Sequence, residues 1–401
     1  MRAGWLSPTS VQTWQGHVAA GMCAASLTIG MIAGGSLAMW GLAGGCIMFM
    51  LVCLTAAPAP DWRVIGFALA LIALILAADL NALAPGRSWA MSGRVVSVLI
   101  PLVLLLHTTQ IPLQWPRWFS IVPLMVCGVE ITLLAEFLTR GGVIMPWLHG
   151  KNDNLVFYDR GLSYATVLVW PFIHYLLQER RPRMAALVWG GLAVVVSVSA
   201  SRGAPLALAV GTGFAMLAWY RPRWVRSAAV AYLALMAFGI LCMAPWVMAE
   251  HSDWLAHLPV SWHHRFEIWD YMIRWDSAAP WLGHGLDGAG VVPVQPPPQM
   301  AYLYATGPAA HPHHAALQLW LELGPLGWVW GVGLALSGVL AVRPWAPTIR
   351  ACAYGAWAAL ITLAGGAFSL WTDSFMTLAI VTIFWLLISA KRLSFSQQPQ
   401  N

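Results

Sequence analysis

Residues 310–327 read AHPHHAALQLWLELGPLG and place three histidines directly before an apolar segment. Pro312 suits the first turn of a helix, because its missing N–H would have no partner there. A helix that starts at Pro312 would hold His313 in its first turn, where the positive end of the helix dipole disfavours imidazolium. A neutral imidazole can accept a proton. The stretch therefore predicts either a general base or a group of histidines at a membrane interface.

The rest of the 401-residue chain is strongly apolar, with 59% hydrophobic and only 9% charged residues. A soluble globular domain carries about 25% charged residues, so this composition excludes one. We predict an all-α fold, a polytopic membrane bundle of about twelve transmembrane helices that forms a single integral membrane domain over residues 1–401. The six cysteines fall in apolar runs and indicate core or lipid-facing residues. No cleavable signal peptide is expected at residues 1–16.

The apolar runs define the predicted spans, since a membrane-crossing helix needs about 20 apolar residues. The runs lie at 16–34, 36–57, 64–84, 95–113, 119–138, 162–178, 184–200, 204–220, 227–249, 314–342, 351–371 and 374–390.

Basic residues in the short loops predict the orientation of the bundle. Placing both termini in the cytoplasm puts most of the 21 basic residues there, including the clusters at 179–183 and 221–226. Two long loops, at 141–161 and 250–313, then face outward.

The large outer loop at 250–313 holds seven of the twelve histidines, and His314 directly follows it. Loops of this length are usually functional or disordered. In the segment WHHRFEIWDYMIRW at 262–275, apolar residues recur at helical spacing and predict a short helix lying on the membrane surface. A glycine-rich turn that contains Gly283 and Gly285 follows this segment.

Several arginines fall on the outer side, namely Arg140, Arg160, Arg202, Arg265 and Arg274. Arginine near membrane depth is costly and usually marks a function. The alternatives are pairing with a carboxylate and contact with lipid headgroups. Several arginines beside a histidine suit a diphosphate, whose oxygens accept bidentate hydrogen bonds.

Metal binding is the competing interpretation of the histidines. His311 with His313, or His263 with His264, could contribute to a zinc site. No HExxH motif or cysteine pair accompanies them. We therefore expect no metal.

Other polar and turn-forming residues have structural interpretations. We expect Glu267 and Asp270 to pair with arginines on their helix, and Glu322 to be hydrogen-bonded within the bundle. Gly324 suits close helix packing, and Pro325 should kink or break the helix.

The chain resembles the O-antigen ligase family of bacterial envelope glycosyltransferases, which includes related O-antigen polymerases. The family motif is a histidine, then Asn, Ser or Gln, nine residues, glycine, two residues, and Gly, Thr or Tyr. His313, Gly324 and Gly327 match this motif, whereas His314 stands at the amide or hydroxyl position. The resemblance covers roughly residues 150–330.

Further segments are similar to this family. The SRG at 201–203 resembles the family's arginine between two central spans. Arg265 with Trp269 resembles the family's arginine at the start of the large outer loop. The glycine turn at 283–285 and the Arg160-Gly161 pair also have counterparts.

The resemblance implies a reaction. The donor would be a glycan on undecaprenyl diphosphate, and the acceptor a sugar hydroxyl of the lipid A core. Transfer would occur at the periplasmic face of the bacterial inner membrane, among membrane lipids, with inversion and without metal or cofactor.

The resemblance also implies residue roles. His313 would be the base, and Arg202 and Arg265 would bind the diphosphate. The supporting residues would be Arg160 and Arg274 at the diphosphate, and His311, His314, Gly283 and Gly285 nearby.

Two alternatives stay open. One is an O-antigen or exopolysaccharide polymerase that uses the same donor. The other is a transporter or flippase of lipid-linked sugars, which would carry mid-membrane charges and pseudo-symmetric halves. No partner nucleic acid is expected.

Overall fold

The structure is a computed structural model that describes residues 8–53, 62–109, 115–148, 155–250, 252–255, 257–275, 281–292, 300 and 311–396. These residues form helices and turns without any strand, so the predicted all-α class is confirmed for the described part of the chain.

The α-helices are α1 (Pro8–Ile32), α2 (Ser36–Cys53), α3 (Trp62–Asp79), α4 (Pro85–Thr108), α5 (Val122–Leu138), α6 (Met145–Leu148), α7 (Asp159–Gln178), α8 (Pro182–Val198), α9 (Gly203–Tyr220), α10 (Val225–Ala234), α11 (Ile240–Glu250), α12 (Ser252–Leu255), α13 (Val260–Trp275), α14 (Ala315–Ala341), α15 (Pro347–Ala364) and α16 (Asp373–Ser396). Short 3₁₀ turns lie at Arg117–Ile121, Leu155–Tyr158 and Gly288–Val291, and a π-helical turn at Leu235–Gly239 joins α10 to α11.

Each predicted span overlaps a helix of the structure. Within the described ranges, six segments are long and apolar enough to cross a membrane, namely Pro85–Leu106, Arg117–Leu138, Gly203–Tyr220, Val225–Glu250, Ala315–Ala341 and Asp373–Ala390. The count of about twelve crossings stays a prediction, because the remaining helices are shorter or less apolar.

Helix α4 begins at Pro85, ten residues before the predicted start of its span at residue 95. Its first turns carry two arginines, and both are paired. An Nη2 atom of Arg87 lies 2.6 Å from Asp287, and one of Arg94 lies 2.7 Å from Asp373. These ion pairs let an apolar helix continue through two charged positions.

Helix α7 is the hub of the bundle and packs against α1, α8, α9, α15 and α16. Its Trp170 is buried against glycines of two neighbours. A Cβ at Gly355 would lie 2.6 Å from the Trp170 ring, and one at Gly211 would lie 2.8 Å from the Gly355 carbonyl oxygen. Glycine at these positions lets α7, α9 and α15 approach closely, which fixes the ends of these helices relative to one another.

The described parts of the segments predicted to face outward contact one another at one end of the bundle. At this end α7 contacts α1 so closely that a Cβ at Gly161 would lie 2.3 Å from the Met31 carbonyl oxygen. The Arg87–Asp287 and Arg94–Asp373 ion pairs join further segments there. The membrane side that this end faces stays a prediction.

The helix predicted in the 250–313 loop is confirmed as α13. Residues 251, 256, 276–280, 293–299 and 301–310 of this loop lie outside the described residues. Phe266, Trp269 and Met272 are buried in a cluster with residues of α11 and α14. The apolar face therefore packs on protein, and the predicted position of this helix at the membrane surface stays a prediction. The indole N–H of Trp269 also finds a carbonyl partner within the protein.

Candidate active site

Helix α14 begins at Ala315, three residues later than predicted, with His314 as its N-cap. The backbone of His314 is extended, and its Nδ1 accepts a hydrogen bond of 3.4 Å from the N–H of Leu317. A side-chain acceptor at this position satisfies an N–H of the first turn that has no partner within the helix. Asn and Ser are favoured N-caps, and the His314 side chain supplies the same kind of acceptor at this position.

The backbone of His313 lies outside the helix, in the left-handed region at φ 54°. This conformation costs about 1–3 kcal/mol for a residue other than glycine. Neighbouring groups hold it in place. Trp269 Nε1 donates to the Pro312 carbonyl oxygen at 2.8 Å, and the N–H of His313 donates to His311 Nδ1 at 3.2 Å. The histidine segment is thus anchored by α13.

The ring of His313 is oriented by a backbone carbonyl. Its Nδ1 lies 3.3 Å from the carbonyl oxygen of Ala367. A carbonyl only accepts, so Nδ1 carries the hydrogen of this bond. In the neutral ring Nε2 then has a lone pair and can accept a proton.

The neutral state of His313 arises from burial and nearby charge, which corrects the predicted helix-dipole cause. Burial, followed by the neighbouring His311, lowers the pKa of His313 to about 4, with smaller contributions from Arg265 and His264. Burial and then Arg265 also lower the pKa of His311. Burial lowers the pKa of the capping His314 to about 4. All three rings are therefore neutral near neutral pH.

The loop that carries Ala367, residues 365–372, is tied to α14 by buried side chains. Gln318 accepts from the N–H of Leu370 at 3.0 Å and donates to the hydroxyl of Ser369 at 2.9 Å. Glu322 is fully buried and accepts from the indole N–H of Trp371, so its predicted structural role in the bundle is confirmed. This network fixes the loop against the helix that follows His313.

Helix α14 is kinked at Gly324, whose φ is 68° and ψ is −170°. The predicted kink at Pro325 is therefore confirmed, and this proline also has no N–H to offer the preceding turn. The freed carbonyl groups bond to the turn at 283–285, called here the GHG turn. Its bonds run from His284 N to Leu321 O at 2.9 Å and from Gly285 N to Glu322 O at 3.1 Å.

The GHG turn and the kink can interlock because both are built from glycine. Gly283 and Gly285 have φ of 69° and 82°. A Cβ at Gly283 would lie 2.5 Å from Gly324 N, and a Cβ at Gly324 would lie 2.3 Å from the Trp281 carbonyl oxygen. These glycines therefore support the geometry of α14 and the histidine segment before it.

Arg265 lies on α13, one turn before Trp269, and its charge acts on both His311 and His313. Its Nη1 donates to the carbonyl oxygen of Ser261 at 2.8 Å, and its guanidinium lies 5.5 Å from the Trp262 ring centroid. The structure therefore brings this arginine beside the histidines. It has no carboxylate ion pair among the described residues.

Arg202 is exposed at the start of α9, close to the loop that orients His313. A Cβ at the next residue, Gly203, would lie 3.7 Å from the side chain of Ala367. Arg202 therefore directly precedes the residue that lies against the loop of Ala367, whose carbonyl oxygen orients His313.

Arg160 is exposed at the start of α7 and is linked to the segment of Arg202. The preceding residue, Asp159, accepts a hydrogen bond from the backbone N–H of Ser201. In the described part of the chain, neither Arg160 nor Arg202 has a salt-bridge partner, so both guanidinium groups are available to a ligand.

Arg274 is placed differently from the other candidate arginines. Its Nε donates to Asp270 at 2.8 Å, so the expected pairing of Asp270 is confirmed. Nine residues separate Arg274 from Arg265, which sets the two on opposite sides of α13 at about 3.6 residues per turn.

The carboxylate of Glu267 lies 3.6 Å from His263, and the arginine partner expected for it stays a prediction. No arginine stands three or four residues from Glu267, the spacing at which side chains on a helix meet.

Metal-binding geometry was the alternative for the histidines. Within the described ranges, no three His, Cys, Asp or Glu side chains are grouped so that they could hold a metal ion. His311 and His313 are in ring contact, with centroids 4.1 Å apart. The metal-independent reaction stays a prediction.

The sequence interpretation missed three contributors to this site. Ala367 acts through its backbone carbonyl, which has no side-chain signature. Gln318 was interpreted as part of an apolar run. A polar side chain within that run, four residues after His314, could have indicated a buried hydrogen-bond partner near the motif. Asp159 immediately precedes Arg160 and could have been singled out on that ground.

The central region of the chain, residues 185–330, matches the O-antigen ligase family model. The resemblance seen in the sequence is confirmed for this range, which includes Arg202, Arg265 and the histidine motif. Arg160 and Ala367 lie outside it. No curated protein matches the chain.

Proposed function

We propose that this chain, with its O-antigen ligase region at residues 185–330, transfers a glycan from undecaprenyl diphosphate to a sugar hydroxyl of the lipid A core. The family supports a ligase or polymerase activity of the glycosyltransferase kind. The observation that carries the finer proposal is the neutral ring of His313, oriented by the Ala367 carbonyl and flanked by Arg265.

The proton-transfer step follows from the ring geometry. Nε2 of His313 accepts the proton of the acceptor hydroxyl while Nδ1 stays bonded to Ala367. The acceptor oxygen attacks the anomeric carbon and forms the new glycosidic bond. The loss of the proton makes that oxygen a better nucleophile, a contribution of about 100- to 10,000-fold in typical general base catalysis.

The leaving group is the second requirement. The bond between the anomeric carbon and the diphosphate oxygen breaks, and undecaprenyl diphosphate departs with the electron pair. Arg202 and Arg265 are proposed to bind the diphosphate and stabilise this charge, with Arg160 in support. A guanidinium offers two parallel donors to phosphate oxygens, which suits the charge that develops in the transition state.

The stereochemical outcome follows from a single displacement. The acceptor attacks directly, and no enzyme-bound glycan forms, so the configuration at the anomeric carbon inverts. The direct attack needs a base on the acceptor side and cationic groups on the diphosphate side. His313 and the three arginines meet these two needs from different elements of one end of the bundle.

The placement in the cell is also proposed. The distribution of arginine and lysine favours cytoplasmic termini, which puts the end with His313 on the periplasmic side of the bacterial inner membrane. The lipid-linked donor would reach this end from within the membrane, and the lipid A core acceptor from the same leaflet.

The test uses purified full-length protein with a glycan on undecaprenyl diphosphate and lipid A core as acceptor. Wild type should form a glycan-modified lipid A core, and Arg202→Ala and Arg265→Ala should each reduce transfer strongly. Arg202→Lys should restore part of the transfer activity, because the lysine ammonium keeps the positive charge but lacks the two parallel donors of the guanidinium. Elongated glycan on undecaprenyl diphosphate, with the lipid A core unmodified, would show a polymerase. Absence of any transferred product would contradict the proposal.

A further inference from the structure

Two segments that carry exposed arginines meet through a small set of polar groups. Asp159 accepts a hydrogen bond from the N–H of Ser201, and the hydroxyl groups of Ser163 and Ser201 lie 3.5 Å apart. The hydroxyl of Ser163 also donates to the backbone carbonyl of Asp159 at 2.7 Å. The start of α7 is thereby fastened to the residue before Arg202.

Ser201 has a second task at the other side of this contact. Its hydroxyl accepts from the N–H of Ala204 at 3.2 Å and so caps the first turn of α9. Ser201 itself is buried, whereas Arg202 is exposed. Arg202 therefore projects from a backbone that is fixed on both sides, by the cap and by Asp159.

Other arginines at this end of the bundle are paired, in contrast to Arg160 and Arg202. Arg87, Arg94 and Arg274 each bind a carboxylate directly. The carboxylate of Asp159 instead accepts from a backbone N–H, and its Oδ1 is buried without a hydrogen-bond partner. This carboxylate holds the backbone of one arginine segment and leaves both guanidinium groups unpaired.

We propose that Asp159 is a positioning residue that fixes the spacing between Arg160 and Arg202, so that the two guanidinium groups bind one diphosphate together. This inference rests on the proposed function, because it takes the ligand to be the lipid-linked diphosphate. Asp159 makes no contact with the reacting atoms. Its hydrogen-bond acceptor is required, and its charge is not.

Near-isosteric variants separate the acceptor from the charge. Asp159→Asn keeps an oxygen that can accept from Ser201 N–H, whereas Asp159→Leu has a similar size and no acceptor. The probe is undecaprenyl diphosphate, titrated onto purified, folded full-length protein. Asp159→Leu should raise the Kd for undecaprenyl diphosphate and the KM of the lipid-linked donor, each by about tenfold. A change of this size is within the range expected for one lost hydrogen bond. Asp159→Asn should stay within about twofold of wild type.

The KM of the acceptor distinguishes positioning from general damage, since it should be unchanged in both variants. Asp253→Leu, at an exposed carboxylate in the first turn of α12, is a matched control that should leave both constants unchanged. If Asp159→Leu gives no folded protein, Asp159→Thr and Asp159→Val form an equivalent pair with and without an acceptor.

The outcomes are separable. Wild-type binding of the diphosphate in Asp159→Leu would overturn the inference alone, as would a loss in Asp159→Asn as large as that in Asp159→Leu. If wild-type protein neither binds undecaprenyl diphosphate nor transfers the glycan, the proposed function itself fails, and this inference fails with it.

Discussion

The protonation of His313 determines the pH range in which it can act as a base. Burial and the neighbouring His311 lower the pKa of His313 to about 4. The neutral, proton-accepting form therefore predominates above about pH 4, whereas an ordinary histidine would lose it below about 6.5. The rate of transfer should fall as the pH drops through about 4. Initial rates measured with saturating substrates check this prediction, and an acidic limb near 6.5 would contradict it.

The residue beside the base has a separate task, which is to cap α14. His314→Ala removes the acceptor for Leu317 N–H and should lower stability by about 1 kcal/mol relative to His314→Asn, because Asn is a favoured N-cap and Ala is not. Both variants shorten the same buried side chain, so the loss of packing is similar. Thermal unfolding of the two purified variants compares them. Equal stability would show that the hydrogen bond at 3.4 Å has no capping effect.

At the scale of elements, the kink in α14 and the GHG turn form one interlocked unit. Gly324→Ala would add a Cβ only 2.3 Å from the Trp281 carbonyl oxygen, at a φ of 68°. The backbone conformation alone should cost about 1–3 kcal/mol, and the clash adds to it. We expect a lower unfolding temperature and reduced transfer.

Gly333→Ala is the matched control on the same helix, since a Cβ there meets nothing within 4 Å. It should leave stability unchanged or raise it slightly, because alanine is the better helix former. If Gly324→Ala were as stable and active as Gly333→Ala, the interlocked unit would have no structural role.

The elements show which features a sequence can predict. Apolar runs are local, so the existence of the long apolar helices and of α13 follows from periodicity and composition. The short helices α6 and α12 were not predicted. Helix ends depend on partners. Arg94 marked the boundary of a predicted span, but in the structure it binds Asp373, a residue 279 positions away. The start of α14 was predicted at Pro312 but lies at Ala315. The side chain of His314 caps the helix there, and the sequence did not show this contact.

The candidate site shows the same division. Arg265 and His313 could be predicted to lie together from their types and from the resemblance. Ala367 could not, because any residue supplies a carbonyl and only the fold decides which one reaches His313. The link between Asp159 and Ser201 N–H has the same character. Arg274 binds a carboxylate one turn earlier, as expected from the sequence, and its supporting role at the diphosphate stays a prediction.

For the whole molecule, the orientation in the membrane is a prediction that reporter fusions can check. Fusions after Arg183, Arg226 and Arg343 should report a cytoplasmic location, because these loops carry the basic clusters. A fusion at residue 295, within the large loop, should report the periplasm. A cytoplasmic signal at residue 295 would place the end with His313 on the wrong side for a periplasmic transferase.

The central claim concerns the molecule as a catalyst, with His313 as its base. The most direct measurement is transfer in vitro from a glycan on undecaprenyl diphosphate to lipid A core, with binding of the donor measured separately. His313→Ala should lower the rate by about 100- to 10,000-fold while the donor still binds. His311→Ala and His314→Ala should cost much less. Wild-type transfer by His313→Ala would contradict the account.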